Sequence, residues 1–340
     1  MIRVEKYAGT ETAWDAFAAT QQGYTHFHLL RWRTVISRVF GHECVYLAAR
    51  AADGELVGVL PLVRVRSVVF GHYLVSMPFL NYGGPLGSEA GVRALVHEAT
   101  ELARRDDVKL LELRSKVPLP IDLPVSHRKV TMLLDLPDDP GVLLKNFSGK
   151  LRSQIRRPQK EGVVVAFGPE QVEPFYSVFS RHMRDLGTPT QSLAFFREIA
   201  DGFPDDCWFG CAYLRGQPVA AGCGFHFEEE FEMTWASSLR QYNRESPNML
   251  LYWAFMDRAI ERGVKVFNFG RCTPRSGTHR FKMQWGSREQ PLWWYGLAAS
   301  AEVTTPSPND SAFSWGPRLW RRLPTSIATA VGPSIVRYIP

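Results

Sequence analysis

The densest set of reactive side chains lies between Phe231 and Trp285. Asn268, Gly270, Arg271, Thr273, Ser276, Gly277, His279, Arg280 and Lys282 follow an apolar run closely enough to share one loop and one short helix. So many donors, with glycines among three Arg and a Lys, suit a phosphate or carboxylate ligand. Upstream, Ser246 and Pro247 read as the N-cap and first residue of a helix, with Arg240 and Arg244 just before it. Free N–H groups at such a start attract anions, although those four residues taken alone also describe an ordinary capped helix. In the first half, Asn81-Tyr82-Gly83-Gly84 follows a strand-like run. The two glycines admit close approach of a ligand, or else form a Gly-Pro turn with Pro85. Residues 150–157, KLRSQIRR, start a basic helix that either contacts phosphates or is a solvated face.

Other chemistries are excluded by pattern. The chain has no GxxxxGK[ST] phosphate loop, no GxGxxG fingerprint and no GxSxG elbow. Its nine histidines never take the HExxH spacing, and Cys207 and Cys211 have no partner pair, so no metal is expected. No Ser-His or Cys-His pairing points to a covalent intermediate. Direct transfer between two bound substrates remains.

These residues need a scaffold of mixed α and β structure, because the apolar period alternates between two and 3.6. The runs 44–49, 56–65, 73–77, 109–113, 130–136, 162–167, 208–214, 218–227, 231–236, 264–269 and 292–297 read as strands. Helical periodicity covers 11–19, 29–39, 91–105, 141–161 (broken near Gly149), 170–183, 193–201 and 247–262. Asp53-Gly54 and Arg215-Gly216 each close a hairpin. These turns expose a repeat. Gly216 falls 162 residues after Gly54, and Val264 falls 156 after Val108. In both places hairpin, helix and strand follow in the same order, which predicts two copies of one α/β unit.

A length of 340 residues accommodates two domains. Five scattered cysteines, no signal-peptide pattern and no long apolar run read as a reduced, cytoplasmic protein. The formal charge of +6 suits anionic partners without choosing among them. The expected division is 1–145 and 146–300 for the two units, 301–311 for a polar linker, and 312–340 for a tail. In that tail Trp, Leu and Ile alternate with Arg318, Arg321, Arg322 and Arg337. The tail either packs on its own domain or binds the inner face of a membrane peripherally.

The runs FLNYGGPLG, FSGKLRSQIRRPQKEG, MRDLGTP, WASSLRQYNRESPNMLLYW and NFGRCTPRSGTHRFKMQWG together resemble the FemAB family over residues 25–298. Within it they resemble the branch associated with exosortase/PEP-CTERM and exopolysaccharide systems. The resemblance implies two tandem domains of the Gcn5-related N-acetyltransferase (GNAT) type, each a mixed sheet flanked by helices. It implies transfer of an acyl or aminoacyl group to an amine of a cell-envelope precursor, nucleotide- or lipid-linked. Aminoacyl-tRNA or acyl-CoA would be co-substrate, with no permanent cofactor and no metal. The family's FKxxFG-like motif places a catalytic or phosphate-binding Lys at Lys282, and Arg271 is the second catalytic candidate, for phosphate or leaving-group charge. Asn81, Tyr82, Gly83, Gly84, Trp235, Asn248, Tyr252, Asn268 and Arg280 are candidates for substrate binding. Arg152, Arg156, Arg240 and Arg244 are candidates for the donor's phosphates. Where the family's strand motif often reads DFG, this chain has Asn268-Phe269-Gly270, and a neutral Asn is no base. The remaining alternatives are an acyl-CoA N-acyltransferase and a non-catalytic binder of an envelope precursor. As a cation of an exposed loop or short helix, Lys282 should add little to stability.

Overall fold

The computed structural model describes residues 2–299 and 316–339. The expected linker 301–311 and residues 312–315 of the tail lie outside the described residues. In chain order the strands are β1 (Arg3–Lys6), β2 (Glu43–Arg50), β3 (Leu56–Ser67), β4 (Gly71–Ser76), β5 (Leu86–Gly87), β6 (Leu110–Ser115), β7 (Val125–Ser126) and β8 (Val130–Asp135). They continue with β9 (Val164–Phe167), β10 (Cys207–Leu214), β11 (Gln217–Phe227), β12 (Glu230–Ser238), β13 (Val266–Cys272), β14 (Arg288–Pro291) and β15 (Trp293–Ala298). The helices are α1 (Glu11–Ala19), α2 (Arg31–Phe40), α3 (Glu89–Arg105), α4 (Pro140–Asn146), α5 (Gly149–Lys160), α6 (Val172–Leu186) and α7 (Leu193–Gly202). After these come α8 (Pro247–Glu261), α9 (Gly277–Met283), α10 (Gly316–Trp320) and α11 (Thr325–Val336).

Two sheets share one plan. The first runs β1-β2-β3-β4-β6-β15-β7, the second β9-β10-β11-β12-β13-β8-β14. From β1 onward the first four pairings are three antiparallel and one parallel (β4 with β6), and β15 then lies antiparallel to β6. From β9 the same sequence of directions recurs, with β12 and β13 parallel and β8 antiparallel to β13. The repeated turns map onto one another. Gly54 sits at φ 90°, and Arg215 and Gly216 at 52° and 76°, the left-handed conformations a tight hairpin requires.

The two copies have exchanged their sixth strands. β8 follows β6 in sequence yet pairs with β13, while β15 follows β13 and pairs with β6. Among described residues, 2–129, 291–299 and 334–339 therefore form one compact unit, and 130–290 with 316–333 the other. A linear division at 145/146 does not follow this pairing, because residues 130–135 hydrogen-bond into the second sheet and 293–298 into the first.

In the second unit, helices cover both faces of the sheet. The ring of Phe209 packs on Phe175 of α6. On the opposite face, a Cβ on its neighbour Gly210, or on Gly222 opposite, would come within 2.9 Å of Phe255 in α8. Alternation along the strand thus assigns one helix to each face, and the two glycines admit α8 against the sheet. The expected break in 141–161 falls at Phe147-Ser148, where the Ser148 hydroxyl accepts from Leu151 N–H and caps α5.

Three expectations are corrected. Asn81–Gly84, read as admitting a ligand or as a Gly-Pro turn, are buried against their own unit. Tyr82 is fully buried with its ring edge-on to Phe27, Gly84 O accepts from His28 Nε2, and Gly83 N–H donates to Arg114 O at the edge of β6. The close backbone approach that the glycines permit is therefore to β6. Ser246 occupies the N-cap of α8 but at φ 55°, and its side chain makes no cap bond. Lys282 is 4% exposed, and its Nζ donates to the carbonyls of Gly270 (2.7 Å) and Arg271 (3.0 Å). The cation pins the end of β13 instead of facing solvent.

The described part of the tail packs against its own chain. In the second unit, Arg321 donates to Leu186 O and Arg184 to Leu323 O, which fastens α10 and the following turn to α6. Leu319, Ile327 and Val331 remain exposed. Pro317 is the second residue of α10 and Pro324 immediately precedes α11, which continues through Pro333 to Val336.

Two outcomes follow from these contacts. Residues 1–145 expressed alone leave the outer edge of β6 unpaired and should aggregate or melt without cooperativity. The same segment with 291–299 joined by a flexible link should melt cooperatively by circular dichroism. Lys282→Met removes both donors and should cost about 1–3 kcal/mol in denaturant unfolding near pH 7. Burial holds the Lys282 pKa down at about 8, against an ordinary 10.5. Between these values the folded state has lost a proton that the unfolded state keeps, so wild-type stability rises with pH, by up to about 1.4 kcal/mol per unit. The Met variant should lack that rise, and parallel pH curves for the two proteins would contradict the assignment.

Candidate functional site

The site originates in a bulge. β12 and β13 pair in parallel only over Glu230–Glu232 and Val266–Asn268. Beyond Asn268 the register of β13 against β8 shifts before Arg271, and Gly270 adopts φ 72°. Asn268 stabilises this bend. Its Oδ1 accepts from Gly270 N–H (2.8 Å) and from the Thr131 hydroxyl (2.6 Å), and its Nδ2 donates to Glu230 (2.9 Å) and Glu232 (3.4 Å). A bulge of this kind turns a strand off its ladder. β12 continues to Ser238, and beyond Glu232 no described strand pairs with that edge.

Past the end of this pairing, a cleft of about 540 Å³ opens along the carboxyl end of β12, the usual place for a ligand in such sheets. Its wall comprises Ala236, Ser237 and Ser238 of β12, Asn243 of the following loop, and Asn248, Leu251 and Tyr252 of α8. Gly277, Thr278 and Phe281 of α9 and His182 of α6 complete it. No carboxylate, Lys or Arg is among these residues. The groups present are hydroxyls, amides, a phenol and one imidazole. The Ser237 hydroxyl is buried without a partner, and a ligand in the cleft would satisfy it. Burial raises the pKa of the Tyr252 phenol.

Anion-binding groups border this wall. The side chain of Ser246 leaves the first turn of α8 uncapped, and Pro247 brings no N–H, so Asn248 N–H carries the positive end of the helix dipole at the cleft. Arg240 and Arg244 are exposed on the loop that joins β12 to α8. A left-handed non-glycine residue at a helix entrance is the kind of strain that collects at ligand sites.

Of the candidates read from sequence, Asn248 and Tyr252 lie in the wall. Asn268 and Lys282 lie beneath it and hold the strands apart. Trp235 packs edge-on against Phe195 and Phe196. Arg271 is half-buried and gives its carbonyl to Lys282. Arg280 is exposed and donates to Arg275 O. Arg152 donates to the carbonyls of Lys145 and Phe147, tying α4 to α5, while Arg156 is exposed on α5. Asn81, Tyr82, Gly83 and Gly84 belong to the first unit, as described above. Sequence reasoning passed over His182, Ser237, Ser238, Asn243 and Thr278. The run MRDLGTP begins one residue after His182 and was the available signal.

Comparison with known proteins agrees with this geometry. Residues 145–283 match the acetyltransferase (GNAT) domain family. No curated protein matches the chain. Its fold is similar to that of FemX, at 16% identity and a TM-score of 0.63 over 86% of this chain and 97% of that one. It is also similar to L-PGS from Bacillus licheniformis, at 16% identity and 0.57 over 94% and 100%. A tandem GNAT protein from the clavulanic acid biosynthesis pathway aligns at 13% identity and 0.53 over 89% and 100%. The chain thus has a tandem GNAT fold, and the segment matched to the acetyltransferase (GNAT) domain lies in its second unit.

Proposed function

We propose that the second unit transfers an activated acyl group to an amine bound in the cleft at the carboxyl end of β12. The observation that carries this reading is the open edge of β12 leading to the uncapped start of α8. An extended arm bearing amides adds to such an edge as a strand would, and its phosphates fall to Asn248 N–H, Arg240 and Arg244. An acyl-CoA thioester has this form, and GNAT domains match this segment of the chain. The uncharged wall suits the neutral carbonyl and amine that react. Ser237 and the strand's amides supply hydrogen bonds to the oxyanion, and the geometry supports one-step transfer.

A second donor, aminoacyl-tRNA, is favoured by α5. Lys150, Arg156, Arg157 and Lys160 are exposed on one side of that helix and have no ion pair among the described residues. A cationic stripe of that kind suits an RNA backbone. For the acceptor, an amine of an envelope precursor fits a protein with exposed Leu319, Ile327 and Val331 beside Arg318, Arg321 and Arg322. No described helix is long and apolar enough to cross a membrane.

CoA at a hundredfold excess over its Kd should stabilise the full chain by about 2.7 kcal/mol in thermal melts. Replacing Arg240 and Arg244 by Ala together should weaken CoA binding roughly tenfold, consistent with loss of one or two exposed phosphate contacts. Binding of aminoacyl-tRNA with no response to CoA would move the donor to the second reading. No response to either would reject acyl transfer.

A further inference from the structure

Acyl transfer to an amine requires a group that removes a proton, and the wall of the cleft contains one such side chain in position. His182 projects from α6 and is half-buried. Its Nδ1 lies 2.9 Å from the carbonyl oxygen of Ser238, the last residue of β12. A carbonyl only accepts, so Nδ1 holds the proton and Nε2 keeps its lone pair. Nε2 has no hydrogen-bond partner among the described residues, and His182 forms part of the cleft wall.

We propose that His182 is the general base of the transfer, its Nε2 receiving the proton of the acceptor amine. This role rests on the acyl-transfer reading above. The neutral amine attacks the acyl carbonyl, and the new N–C bond leaves the nitrogen positively charged. Nε2 takes the proton from that nitrogen as the bond from the acyl carbon to its leaving sulfur or oxygen breaks. The imidazolium then returns the proton to the leaving group, which departs as thiol or hydroxyl. The Ser238 carbonyl stabilises the imidazolium through Nδ1 and fixes the ring, as an orienting acceptor does in other acid–base sites.

Alternative bases are occupied. Lys282 is committed to two carbonyls beneath the cleft, and Asn268 donates to Glu232. The Tyr252 phenol is held protonated by burial. Burial also lowers the His182 pKa from its ordinary 6.5. Arg240, on the loop after β12, lowers it further, while the Ser238 bond and Asp185, on the same helix, oppose the shift. The ring is therefore neutral, and able to accept a proton, at pH 7.

The experiment uses the full chain, with acetyl-CoA and an aminoacyl-tRNA as donors and a panel of primary amines as acceptors. His182→Gln retains a donor for the Ser238 carbonyl but cannot act as a base. Its kcat should fall by about 10²–10⁴-fold with CoA affinity unchanged. Once kcat/KM is corrected for the fraction of neutral amine, the acid limb that the wild type keeps below pH 6.5 should disappear, and added imidazole should restore part of the activity of His182→Ala. Nitrogen NMR of the wild type should show the Nδ1–H tautomer. Wild-type kcat or an unchanged acid limb in His182→Gln overturns the role of His182 and leaves acyl transfer standing, as does an Nε2–H tautomer. A wild-type chain that transfers from neither donor overturns both.

Discussion

The cleft depends on a small cluster of buried polar bonds at the point where β13 leaves β12. Asn268 holds the Gly270 amide, and Lys282 holds the carbonyls of Gly270 and Arg271. Without these bonds the strand pair has every reason to continue, since each further rung would satisfy one N–H and one C=O. The cluster substitutes side-chain partners for those rungs and lets the strands part without leaving orphaned groups. Lys282 is therefore a positioning residue. Its buried charge disfavours folding, as its lowered pKa shows.

The first unit demonstrates the alternative. Register alignment of the parallel pairs places Glu112 where Asn268 stands and Arg114 where Gly270 stands. Arg114 is almost fully buried, bonded to Glu112 and to Leu80 O, with its guanidinium 4.6 Å from the centre of the Trp294 ring. The segment after β4 returns to β6 through the Gly83–Arg114 bond and occupies the corresponding gap. One copy of the fold has thus filled with its own chain the space that the other leaves open. The exchange of β8 and β15 gives each copy a strand from the other half of the sequence.

The opening in the second unit also explains which sequence motifs matter and how. The family's DFG run carries a carboxylate where this chain has Asn268, yet the physical role seen here needs only an acceptor oxygen two residues before a glycine. Asn and Asp both supply one. The Arg and Gly content of the loop at 270–280 reads as a ligand cradle. In the structure it builds the strand bulge and the α9 start, while the cleft itself is lined by neutral groups.

Much of this architecture is legible in the sequence alone. Apolar periodicity locates eleven strands, among them every strand of six residues or more, and α1 to α8, because it depends only on which residues must be buried. Strands of two to four residues such as β5, β7 and β14 carry too little pattern to be read. The two Gly hairpins and their repeat spacing reveal the duplication, since turn chemistry is local. Strand pairing is different. The alternation in 130–136 and 292–297 is the same whichever sheet receives them, so the exchange is decided only by tertiary hydrogen bonding. Burial of Lys282 depends on carbonyls 11 and 12 residues away adopting a bulge. His182 acquires its tautomer from Ser238, 56 residues distant. Sequence determined the elements and the copy number. The site arises from contacts between elements that no local pattern records.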